Sequence, residues 1–168
     1  MYFIIIVLVV ALDQLTKYLI QANLELNSSI PLIDGIFHIT YIRNSGAAFS
    51  MFQHRTGFLI AMQLAVIAVV LVYLVKRKKK EHWCLLLSLS LIAAGGMGNL
   101  IDRAMNGYVV DFLDFRVWPI FNMADISVCV GCGLLILYMF FIDPKRGRNK
   151  NPDAARGGIS KDIDISEE

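Results

Sequence analysis

Four stretches of this chain, at residues 2–22, 57–75, 84–102 and 124–142, are each apolar enough and long enough to cross a bilayer as a helix. A hydrocarbon layer of roughly 30 Å needs about 20 such residues. Nothing else in the sequence constrains the fold as strongly, because a segment in lipid must satisfy its backbone amides internally, and a helix does so. The composition agrees: 57% of the 168 residues are hydrophobic, 18% are charged, and the mean hydropathy is +0.59. The first stretch lacks the basic start and the small-residue cleavage site of a secretory leader, and DQLTK interrupts it, so it is read as a retained span.

Basic residues mark the cytoplasmic side of a membrane protein. Here KRKKK at 76–80 joins spans two and three, and Lys145, Arg146, Arg148 and Lys150 follow span four. The other two loops carry only Arg43, Arg55, Arg103 and Arg116. Both termini are therefore expected in the cytoplasm, with residues 23–56 and 103–123 outside. The first outer loop contains SSIPLIDGIFHITYIRNSG, whose β-prone runs are separated by Asp-Gly and Asn-Ser-Gly turn signals, and a small outer sheet is expected. AAFSMFQ after it reads as a short interfacial helix presenting Phe49 and Phe52 to lipid. The fold class is thus a mainly α membrane protein with four transmembrane helices, a small extracytoplasmic β-sheet and a short interfacial helix. Residues 1–143 are expected to form one domain and 144–168 a disordered tail. AAGGMG at 93–98 suits close helix packing. The CxxC of Cys129 and Cys132 lacks a second ligand pair and is read as packing.

Ionisable residues inside spans are expensive, by about 2.5–3.5 kcal/mol at a helix centre, and so carry information. Asp13 and Lys17 lie four apart on one helical face and can pair. GNLIDR ends span three, and Asn99 and Arg103 share a face from which Asp102 is turned. An interfacial helix end explains Asp102 and Arg103, whereas Asn99, one turn deeper, needs partners. FNMAD opens span four, with Asn122 as a plausible N-cap and Asp125 at the third helical position. Asp111 is flanked by Val109-Val110 and Phe112-Leu113, an unsuitable setting for a solvated carboxylate. If Asp111 and Asp125 meet, one pKa rises and the pair can perform acid–base hydrolysis. Asp114, three residues from Asp111, is an alternative partner on spacing alone.

Five segments, DQLTK at 13–17, RNSGAAF at 43–49, GGMGNLIDR at 95–103, VVDFLDF at 109–115 and FNMAD at 121–125, together resemble the lipoprotein signal peptidase family, also called signal peptidase II. The likeness runs from about residue 10 to 142. It implies a membrane aspartyl endopeptidase with Asp111 and Asp125 as catalytic dyad. Around them the resemblance places Asp13, Lys17, Asn44, Gly46, Asn99, Asp102, Arg103, Asp114, Asn122 and Ala124 as substrate-binding or supporting residues. The implied partners are diacylglyceryl-modified prolipoproteins and membrane lipids. No cofactor, metal or nucleic acid is implied, and a monomer in the bacterial cytoplasmic membrane is expected, its site near the outer face.

Three rivals follow from the residues alone. Lys17 could activate Ser45 or Ser50 in a serine–lysine protease. His38, His54 and His82 could serve zinc, although they form no HExxH. Asp13, Asp111 and Asp125 could relay protons in a small transporter, against which stands their clustering at one membrane face.

Overall fold

The computed structural model of the chain describes residues 2–46, 55–77 and 81–142. The interfacial helix expected at AAFSMFQ, the histidine at 54 and the polar tail lie outside the described residues. Four helices, α1 (Tyr2–Asn23), α2 (Thr56–Arg77), α3 (Trp83–Asn106) and α4 (Met123–Leu137), are joined with three strands, β1 (Ser29–Ile33), β2 (Phe37–Asn44) and β3 (Val109–Asp114), in the order α1-β1-β2-α2-α3-β3-α4. A π-helical turn, Tyr138–Ile142, continues α4. Among the described residues, Tyr2–Asn23, Thr56–Arg77, Trp83–Asn106 and Met123–Ile142 are long and apolar enough to cross a membrane. The chain divides into two compact units, Met1–Leu135 and Ile136–Glu168. The described part of the second unit is the last helical residues and the apolar turn YMFFI.

α3 is the central helix. Half of its apolar window is buried, against 17–22% for the other three, and it packs on both α1 and α2. Its buried face is small or polar, including Ser88, Ser90, Ala94, Gly98, Asn99 and Asp102. The exposed faces of the helices carry large apolar side chains such as Val7, Leu8, Val69 and Ile136. This inside-out pattern is what lipid selects, since apolar surface gains nothing by leaving it and helices associate through close packing and polar contacts. Ser88 and Ser90 satisfy their hydroxyls on the carbonyls of Leu85 and Leu86. Deeper in the bundle, Ile6, Val70, Leu74, Leu86, Ala93 and Ala94 form an apolar cluster across α1, α2 and α3.

Glycines bring α4 against α3. A Cβ on Gly95 would collide with the Ala124 carbonyl and lie 2.7 Å from Val128 Cγ2, and one on Gly131 would lie 2.8 Å from the Ser88 carbonyl. Gly95→Ala is therefore expected to push α4 outward and destabilise the protein by ~1–3 kcal/mol. Gly133→Ala, with nothing within 4 Å of the new methyl, is expected to be neutral or slightly stabilising. Thermal unfolding of both variants in detergent checks the contrast.

The three strands form one antiparallel sheet in the order β1-β2-β3. The Asp34-Gly35 signal is used as expected, with Gly35 at φ 69° in the β1–β2 turn. β3 is a departure from the sequence expectation, which places Val109–Asp114 in an outer loop. Its residues are almost all buried, so the alternation that reveals a half-exposed strand is missing. α3 also runs on to Asn106 before Gly107 closes it in the left-handed conformation, its N–H bonded to the Arg103 carbonyl. Asp102 and Arg103 are consequently buried helical residues rather than an interfacial end. Tyr41, Val110 and Phe112 seat the sheet on Ile20 and Leu24 near the end of α1. Phe121 bridges back to Leu113, which returns the chain beside β3 at the residue before Asn122. Cys129 and Cys132 are exposed on α4 rather than packed inside.

Candidate active site

Asn122 and Asp125 close the start of α4 as a reciprocal cap. The Asp125 N–H donates to Asn122 Oδ1 at 3.0 Å, and the Asn122 N–H donates to Asp125 Oδ2 at 3.2 Å. This satisfies two otherwise orphaned groups at the helix end and fixes the Asp125 side chain. Asn122 does more than cap. Its Nδ2 donates to Asp111 Oδ1 at 2.6 Å and to Asn99 Oδ1 at 3.1 Å, so its side chain holds the Asp111 carboxyl while its main-chain N–H holds that of Asp125.

Asp111 projects from β3 and is 2% exposed. Its other oxygen accepts from Asn44 Nδ2 at 2.9 Å. The Asn44 oxygen is in turn held by the Gly46 N–H at 2.9 Å, which orients the amide with its donors toward Asp111. Strand register supports the contact, since Asn44 pairs with Val109 and Ile42 with Asp111. No hydrogen bond links the Asp111 and Asp125 carboxyls directly; Asn122 bridges them. Burial, and then repulsion from Asp125, push the Asp111 pKa up to about 7 against the opposing donors Asn44 and Asn122. Burial therefore favours the protonated form of this carboxyl well above the pH at which an exposed aspartate ionises.

Beneath the aspartates lies a buried ionic hub. Lys17, 2% exposed, directs its ammonium to Asp13 Oδ2 at 2.9 Å, Asp102 Oδ2 at 2.9 Å and Asn99 Oδ1 at 3.0 Å. Three acceptors match the three protons of an ammonium. Because Asn99 gives its oxygen to Lys17 and Asn122, its Nδ2 is left for Asp125 Oδ1, at 2.8 Å. The two hub carboxylates also reach backbone. Asp13 Oδ1 accepts from the Ala124 N–H at 2.9 Å, and Asp102 Oδ2 accepts from the Val110 N–H at 3.1 Å. Ala124 precedes Asp125 and Val110 precedes Asp111, so one cation organises both segments that carry the pair. Gly98 makes this possible, since a Cβ there would strike the Asp13 carboxylate.

Arg103 is 8% exposed. Its Nη2 donates to the Gly46 carbonyl at 2.6 Å and its Nη1 to Gln63 Oε1 at 3.4 Å, while the buried Nε has no partner. It belongs to a groove of about 280 Å³ between α2, α3 and α4, lined by residues including Met62, Gln63, Ile67, Gly96 and Val128. An apolar groove ending in an unsatisfied donor suits a peptide with a carbonyl to offer.

Eleven of the twelve residues singled out from sequence thus belong to one connected neighbourhood: Asp13, Lys17, Asn44, Gly46, Asn99, Asp102, Arg103, Asp111, Asn122, Ala124 and Asp125. Asp114 is engaged elsewhere. It accepts from Thr40 Oγ1 at 2.8 Å and from the Arg116 N–H at 2.8 Å, and the latter bond holds Arg116 at a positive φ of 64°. Gln14 went unnamed among the sequence candidates. Its Nε2 donates to Asp13 Oδ2, to the Gly98 carbonyl and to Asp102 Oδ1, and its polarity midway along an apolar span was the available signal. As for the serine–lysine arrangement, the Lys17 donors are taken by Asp13, Asp102 and Asn99, and Ser50 lies outside the described residues.

Comparisons with known proteins identify the family of the chain. A family model described as Signal peptidase (SPase) II matches residues 5–141. A lipoprotein signal peptidase of Halothermothrix orenii is 44% identical over 140 residues, covering 83% of this chain and 95% of its own. One from Brevibacillus brevis is 46% identical over 149 residues, covering 88% and 99%. Two solved structures, each a bacterial membrane enzyme obtained by the in meso method, superpose with TM-scores of 0.76 at 28% identity and 0.74 at 31% identity. They cover 98% and 84% of this chain and 94% and 93% of their own chains. With its four candidate membrane spans and this run of matched residues, the chain belongs to the signal peptidase II family of bacterial membrane proteases.

Proposed function

We propose that the protein is an aspartic endopeptidase that removes signal peptides from diacylglyceryl-modified prolipoproteins, cutting just before the lipidated cysteine. The observation that carries the reading is the pair of carboxyls, Asp111 held by the Asn122 side chain and Asp125 by the Asn122 main-chain N–H, in a chain of this family. Asp111 is the general acid, since it retains a proton near neutrality. Asp125 is the base. Asp125 takes a proton from a water that attacks the scissile carbonyl, and Asp111 donates its proton to the carbonyl oxygen. In the collapse of the tetrahedral intermediate the C–N bond breaks, the leaving nitrogen takes the proton held by Asp125, a hydroxyl of the intermediate returns one to Asp111, and the signal peptide departs with a new carboxyl terminus. Arg103 and Asn44 contact the substrate backbone, and Asn99 and Asn122 orient the pair.

The basic loop after α2 and the basic run after span four support cytoplasmic termini. The aspartates then sit at the outer ends of α3 and α4. A substrate held in the same bilayer by its signal helix and acyl chains meets them by lateral entry, so the membrane itself supplies proximity. The enzyme acts as a monomer, without metal or organic cofactor.

The test is cleavage of a lipobox peptide with and without diacylglycerol on its cysteine, by purified protein in detergent. Only the lipidated peptide is expected to be cut; equal cutting of both would overturn the substrate assignment. The Asp111 proton adds a pH signature. Because its loss removes the acid, kcat/KM is expected to fall on the alkaline side with an apparent pKa near 7. A profile flat from pH 6 to 9 would contradict Asp111 as acid.

A further inference from the structure

Arg43 lies next to Asn44 on β2 yet takes no part in the hydrogen bonds around the aspartates. Its Nε donates to the Tyr41 hydroxyl at 3.0 Å, and its guanidinium carbon stands 4.7 Å from the centre of the Tyr108 ring and 5.8 Å from that of Tyr41. The side chain is nevertheless exposed. Among the described residues no carboxylate forms an ion pair with it. An unpaired surface arginine ordinarily samples many rotamers; this one is held against two tyrosines, and among the described residues neither Nη group has a hydrogen-bond partner. Such a planar fork, already ordered, fits a tetrahedral oxyanion bidentately. The setting names the oxyanion. Tyr108 directly follows the C-cap of α3, and Arg43 pairs in register with Val110, which puts the clamp at the outer end of the spans. Tyrosines are enriched at that level of a bilayer, where lipid phosphates lie.

We propose that the Tyr41–Arg43–Tyr108 clamp is a binding site for the phosphate of an outer-leaflet phospholipid. The bound phosphate ties β2, and with it Asn44, to the height of the headgroups. The inference rests on the membrane orientation argued above but not on the peptidase chemistry, and its readout is lipid retention rather than cleavage. The experiment is native mass spectrometry of the full chain in a phosphate-free maltoside detergent, titrated separately with phosphatidylglycerol, with diacylglycerol of the same acyl chains, and with inorganic phosphate. Wild type is expected to hold one phosphatidylglycerol about tenfold more tightly than Arg43→Gln. Arg43→Lys, which keeps charge but loses the fork, should fall between them. Diacylglycerol should not distinguish the three proteins. Equal phosphatidylglycerol retention by wild type and Arg43→Gln, with matched thermal unfolding in lipid-free detergent, overturns the proposal. An equal gap with diacylglycerol also overturns it, by making the contact apolar. Stabilisation of wild type by inorganic phosphate as large as that by the lipid would overturn the lipid assignment in favour of a free anion.

Discussion

Asp111→Asn and Asp125→Asn are each expected to lower kcat on a lipidated prolipoprotein peptide by about 10²–10⁴-fold, the usual worth of a positioned acid or base. Each substitution keeps the side-chain shape and removes the ability to exchange a proton. The two losses should not add, because an acid without its base accomplishes little, and the double variant is expected to resemble the worse single one. Asparagine at 111 sets an amide against the donors of Asn44 and Asn122, so thermal unfolding must accompany the kinetics. Asp114→Asn supplies the contrast. Its carboxylate shapes the turn through Thr40 and Arg116, so the expected cost is ~1–3 kcal/mol of stability rather than turnover. If Asp114→Asn lost as much kcat as Asp111→Asn while staying folded, the pair would have to be reassigned.

Much of this site was legible in the sequence because lipid makes polar residues conspicuous. Four-residue spacing announced the Asp13–Lys17 pair, and Asn122 three residues before Asp125 announced the cap; both form. The span limits came within a few residues of α1 to α4 for the same reason. What stayed hidden depended on which elements lie side by side. Asp102 faces Lys17 only because α1 packs on α3, and no spacing within either helix reports that. β3 hid because a strand buried on both faces looks like any short apolar run. Cys129 and Cys132 misled in the opposite sense, since in a membrane a small apolar side chain is as content facing lipid as facing protein.

The hub makes the second large prediction. Lys17→Met is expected to cost ~3–5 kcal/mol of stability, since removing one partner of a buried ion pair strands the others. Here two carboxylates, Asp13 and Asp102, would be left facing each other without the cation between them. Those carboxylates also hold the Ala124 and Val110 N–H groups, so the damage should spread to the segments bearing both aspartates and abolish cleavage as well. Adding Asp13→Asn to Lys17→Met should recover part of the loss, with a coupling of about 1–3 kcal/mol in a double-mutant cycle. Lys17→Arg should not rescue, because a planar fork on a longer side chain cannot point three donors at Asp13, Asp102 and Asn99 in a site built around a tetrahedral ammonium. A serine–lysine mechanism requires the reverse pattern, in which Lys17→Met is as stable as wild type and only the chemistry is gone. Unfolding midpoints of wild type and Lys17→Met, measured in the same detergent, therefore decide whether Lys17 holds the site together or reacts within it.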